Sequence, residues 1–265
     1  MKMTKKKVVI VAVAICLVAI ISMGTLAWFN AEDAVNNDFK VMDSLTDFEV
    51  DVWEYVTAPE VGVERNPVGK GDAEENGHEY TDAAPNAVFV KEVYVENTSN
   101  NDLAGQYIKM EVTFTNYAAV RAMFVDLTDT TTFVDCTDML EDVHFSANED
   151  DDDMAWWYDE DNTIYNEEDD TATYVFYLKR VLENEESECL FETVRIPATM
   201  DINDADYLAE EGFQINVVAY AIQSANIKDP NGTTDLQHAV YAFGEPWANR
   251  DTAPGAPVFP TRTGA

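Results

Sequence analysis

Between Glu149 and Asp170 the chain crowds twelve carboxylates, at positions 149–153, 159–161 and 167–170, around Trp156, Trp157 and Tyr158. Hard oxygen ligands at that density suit calcium, whose charge would relieve their mutual repulsion. Asp150, Asp152, Asp159 and Asp161 are the residues that would hold such an ion. The glycine and spacing of an EF-hand loop are missing after Asp159, so the plainer reading is a solvated acidic loop, with Trp156 and Trp157 packed back on the fold or offered as a contact patch. Cys136 and Cys189 could form one disulfide in an oxidising compartment if their Cα atoms come close. His78, His144 and His238 lie far apart, and there is no C-x-x-C or H-E-x-x-H, so no zinc ligand set is assigned and each histidine reads as a loop or surface residue. No G-x-S-x-G elbow occurs either, and no catalytic residue is assigned.

The start of the chain determines where those residues would work. Lys2, Lys5, Lys6 and Lys7 precede an uncharged run from Val8 to Met23, and Thr25-Leu26-Ala27 fits the small-x-small rule for cutting between Ala27 and Trp28. Residues 1–27 therefore read as an export signal, giving a secreted protein that meets a membrane only as its uncleaved precursor. The alternative is an uncut anchor, since Val8 to Ala27 approaches the ~20 residues that span a bilayer. Cys16 lies within the apolar run behind Ile15 and does not fit a lipid-modified cysteine. Losing residues 1–27, with four lysines and no acid, takes the formal charge from −35 to −39 on 238 residues. Such a surface repels nucleic acid and anionic membranes and attracts cations, so any assembly would respond to salt and divalent ions. The 46% hydrophobic content still permits a real core, which excludes an acidic disordered chain.

Most of the remaining chain shows the period-two pattern of strands with one face buried. Phe48, Val50 and Val52 alternate with Glu49 and Asp51; Ile108, Met110, Val112 and Phe114 alternate with Lys109, Glu111 and Thr113. Val88 to Val95, Tyr174 to Leu178 and Cys189 to Ile196 are rich in β-branched and aromatic residues, and Phe213, Ile215, Val217, Ala219 and Ala221 alternate again. This predicts an all-β, antiparallel β-sandwich over residues 42–250, with an acidic, loop-rich insertion at 126–170 that carries a strand or helix of its own. Helical signals are short: Asp201 to Glu211, and Thr234-Asp235-Leu236-Gln237, a capping box opening a segment that stops near Gly244 and Pro246. Gly69 to Pro85 reads as a polar loop and residues 251–265, with three prolines, as a flexible tail.

Several stretches together resemble a known family. Gly24-Thr25-Leu26-Ala27-Trp28-Phe29-Asn30, followed by Asn37-Asp38-Phe39-Lys40-Val41, is similar to the signal and mature start of the TasA and camelysin family of Gram-positive bacteria. Lys91 to Thr98, Gln106 to Met110, Leu190 to Pro197 and Val218 to Gln223 resemble its later strands in the same order, whereas residues 126–170 carry none of its motifs. The resemblance implies a jelly-roll-like domain, cleavage by a SipW-type signal peptidase, secretion into a biofilm matrix, and self-association into fibres through an N-terminal strand given to the next subunit. No cofactor is required, and calcium is the ion that the acidic segment would take. Residues 28–41 would be that strand, with Trp28, Phe29, Val35, Phe39 and Val41 as its apolar anchors on an open sheet edge. The same residues could instead form the first strand of their own domain. Two other functions stay open: a camelysin-like secreted metalloprotease, and a calcium-dependent surface adhesin or binding module.

Overall fold

The structure, a computed structural model, describes residues 30–34, 37–39, 49–60, 64–70, 84–99, 105–124, 134–200, 212–225 and 227–244. The signal segment, the Asp201 to Glu211 stretch and the tail lie outside them. Among the described residues, eleven strands form two sheets. The larger has the order β2-β1-β11-β5-β9-β8-β7, built from β1 (Asn30–Ala34), β2 (Asn37–Phe39), β5 (Gln106–Thr115), β7 (Phe145–Ser146), β8 (Trp156–Asn166), β9 (Thr171–Leu178) and β11 (Ile215–Gln223). The smaller has the order β3-β4-β10-β6, from β3 (Val50–Tyr55), β4 (Val88–Asn97), β6 (Leu140–Glu141) and β10 (Ser187–Arg195). Every strand pair is antiparallel except β7 with β8. The predicted all-β sandwich is the observed architecture.

Alternation on β5 builds the centre. Ile108, Met110, Val112 and Phe114 are fully buried in the core. In register on β11, Ala221 faces Ile108, Ala219 faces Met110 and Val217 faces Val112. On the other flank β9 sets Phe176 beside Met110 and Tyr174 beside Val112. Small residues on one neighbour complement large ones on the other across this layer. The smaller sheet answers with Val50, Val52, Val93, Val95, Leu190 and Phe191. Each such side chain contributes about 1.5–3 kcal/mol on burial.

The larger sheet is covered on its second face too. Helix α2 (Asp235–Ala242) packs Leu236 and Val240 on Trp157, Val175 and Tyr177, and Ala239 and Ala242 on Tyr107 and Ile222. That is why Tyr174 to Leu178 is apolar without a break. Thr234 opens α2 with the predicted capping box, its hydroxyl accepting from the Gln237 N–H while Gln237 reaches back, and Gly244 follows its end with φ +87°. A shorter helix, α1 (Tyr117–Ala122), follows β5 directly.

The acidic segment is not set apart from this fold. Its strand, β8, is the longest described and pairs along β9 from Trp156↔Leu178 to Asn166↔Thr171. One ion pair, Lys91 with Glu54, sits inside the sandwich, with side-chain exposures of 8% and 1%. Desolvating both ions costs about as much as their attraction returns, so the pair adds little net stability, whereas removing one partner would leave a buried charge uncompensated.

Candidate functional site

The N-terminal residues occupy a sheet edge. β1 runs antiparallel to β11, from Asn30↔Ile222 to Ala34↔Val218, and β2 folds back on it with Phe39 opposite Glu32. β1 also approaches β3 of the smaller sheet. In the single chain, these residues form the first strand of their own domain. Ala27, Trp28, Phe29, Val35 and Val41 fall outside the described residues; Phe39 lies in β2.

The other edges are short, charged or covered. β6 and β7 are two residues each, against Thr193–Val194 of β10 and Trp156–Trp157 of β8, and beyond them β8 bears exposed Glu160 and Asp161 outside its ladder with β9. β3 is longer, but Val68 bridges its outer side through two backbone hydrogen bonds with Glu54, at 2.8 and 2.9 Å. Arg65 and Lys70 from the same loop lie over Tyr55 and Trp53 and pair with Glu92 and Glu96. Short, charged or covered edges of this kind resist pairing with another chain.

The carboxylates of the acidic segment are distributed rather than gathered. Asp150 and Asp152 sit exposed in the β7–β8 connection, where Asn148 and Asp151 side chains accept from backbone N–H groups two residues on. Asp159 is buried in β8 and accepts from Asn162 at 2.8 Å; Asp161 is exposed beyond it. Asp170, at φ 50°, accepts from the first N–H groups of α1 through its carbonyl and its carboxylate. The tryptophans pack back on the fold. Trp156 is wholly buried with its indole N–H donating to the Cys189 carbonyl at 2.8 Å, and Trp157 lies beneath α2.

The disulfide considered for Cys136 and Cys189 does not form: both are free, buried thiols. They occupy different compartments. Cys136, on a one-turn 3-10 helix (Cys136–Met139), enters the core where its N–H donates to the Tyr174 hydroxyl at 2.8 Å. Cys189 faces the outer side of the smaller sheet, opposite Tyr94. Burial pushes each thiol up from 9.0 to about 12, reinforced at Cys189 by the charge of Glu192.

Among the described residues, one group of three metal-competent side chains converges, and sequence spacing did not reveal it. The ligating atoms of His144, Cys189 and Glu192 lie within 4.8 Å of one another, with His144 Nε2 at 3.1 Å from Glu192 Oε1. His238 is instead buried at the start of α2's packing, its Nδ1 accepting the Asp229 N–H at 3.1 Å, and His78 is outside the described residues. The signal that could have exposed the group is the pair Leu190-Phe191, two adjacent apolar residues that break the alternation of β10 between Cys189 and Glu192. No family model matches the sequence, and no curated protein matches it.

Proposed function

We propose that the protein is a secreted structural component of an extracellular biofilm matrix, a fibre subunit or fibre accessory, that assembles by placing its N-terminal strand on β11 of a neighbouring copy. The observation that carries this reading is the β1–β11 ladder: β11 is a nine-residue strand whose outer side is paired with the N-terminal strand over Val218 to Ile222. Closed and exchanged forms would use the same ladder of backbone hydrogen bonds, so concentration and strain in the connection decide between them. Resemblance to the TasA and camelysin family, with the export signal ahead of Trp28, supplies the setting and the SipW-type peptidase as processing partner.

Electron microscopy of protein beginning at Trp28, beside protein beginning at residue 42, tests the proposal. Filaments from the first and none from the second are expected, and the double variant Phe29→Asp/Phe39→Asp should behave as the truncated form while keeping its β-sheet circular dichroism. Filaments from the double variant, or monodisperse particles from every sample at neutral and mildly acidic pH with and without calcium, would overturn it.

A further inference from the structure

Cys189 and Glu192 are three residues apart on β10, a spacing that puts side chains on opposite faces of a regular strand. Here β10 is irregular. Its pairing with β4 steps from Cys189↔Tyr94 to Phe191↔Val93, one residue extra on β10, and shifts again before Thr193↔Val90. Leu190 and Phe191 consequently both enter the core, each fully buried, and Cys189 and Glu192 flank them on the outer side. The third group is fixed by its backbone. The His144 N–H donates to the Leu190 carbonyl, and its carbonyl accepts from the Trp156 N–H, both at 3.0 Å, which holds the residue between β10 of one sheet and β8 of the other. The Trp156 indole bonded to the Cys189 carbonyl locks the same junction.

We infer that His144, Cys189 and Glu192 form a zinc site on the outer face of the smaller sheet, binding the ion through one imidazole nitrogen, the thiolate and one carboxylate oxygen. The donor set selects the metal. Zinc accepts sulfur, nitrogen and oxygen together, with bonds of about 2.0–2.3 Å, whereas calcium and magnesium require shells of oxygen. Ligand atoms of a tetrahedral ion at those bond lengths stand roughly 3.5 Å apart. His144 and Glu192, with side-chain exposures of 39% and 43%, have room to close that far on the buried sulfur, and their exposure leaves the fourth position to water. Binding exchanges a proton for the ion: Cys–SH and Zn²⁺ give Cys–S–Zn⁺ and one proton released to solvent. The net charge of −35 raises the local concentration of cations at such a surface. The site involves neither β1 nor β11 and stands whether or not the strand exchange does.

Zinc titration of the intact protein in excess calcium, which occupies the dispersed carboxylates, should give one tight equivalent. His144→Ala, Cys189→Ser and Glu192→Gln should each weaken it at least about tenfold, with Cys136→Ser unchanged. Because a change at buried Cys189 could disturb folding, the second measurement needs no change there. Cobalt added to the Cys136→Ser protein should produce a near-ultraviolet thiolate charge-transfer band that zinc abolishes stoichiometrically. Absence of that band, no tight equivalent, or zinc binding unaltered in His144→Ala would overturn the assignment.

Discussion

A thiol that keeps its proton past the usual range makes the folded state a better base than the unfolded one. Cys136 is held up to about 12 from 9.0, chiefly by burial, so the unfolded chain ionises first and native stability declines as pH rises from about 9 toward 12. Tyr107 acts in the same sense over a window beginning near 10.0, its hydroxyl also pushed up to about 12 by burial. Urea unfolding at a series of pH values should therefore show stability falling above pH 9, and Cys136→Ala should make the first part of that decline shallower while leaving the share of Cys189 and the tyrosine part. A stability that climbs over this interval would contradict the interior placement of Cys136. The same residue illustrates what sequence could offer: two cysteines raised the question of a bridge, and only the tertiary fold separates one into the core and the other onto an outer face.

At the scale of elements, legibility followed regularity. β5, β9 and β11 alternate or run apolar where their faces are buried, and α2 announces itself through Thr234 and Gln237, so these were readable. β8 was obscured because Asp159-Glu160-Asp161-Asn162 interrupts it. The strand survives because its pairing skips from Asp159↔Val175 to Ile164↔Thr173, leaving Glu160, Asp161, Asn162 and Thr163 out of the ladder with β9. Asn30-Ala31-Glu32-Asp33-Ala34 carries no strand pattern at all; the resemblance implied a strand given to a neighbouring copy, and the pairing with β11 of the same chain is visible only in the fold. The candidate metal group needed both the β10 irregularity and the His144 backbone bonds, neither of which is a spacing. The α2 cap permits a direct check. Thr234→Ala should cost about 1 kcal/mol in denaturant unfolding, since it orphans a helix N–H and breaks the capping box. No loss would mean that α2 contributes through its packed face alone.

At the scale of the whole molecule, β11 is bonded to β5 on one flank and depends on β1 for the other. If copies join by exchanging that strand, a chain of them has two unlike tips: one presents a bare β11, the other an N-terminal strand with nowhere to dock. Growth is then polar, and each tip can be silenced separately. A copy that keeps β11 but begins at residue 42 can accept a strand and donate none, so it acts as a chain stopper. Small molar fractions of it, mixed with intact protein, should shorten filaments seen by microscopy out of proportion to the amount added. Shortening merely in proportion to dilution would argue against polar growth. An organism making such a protein could set fibre length through the fraction of molecules clipped at their start, with no change to the sandwich itself.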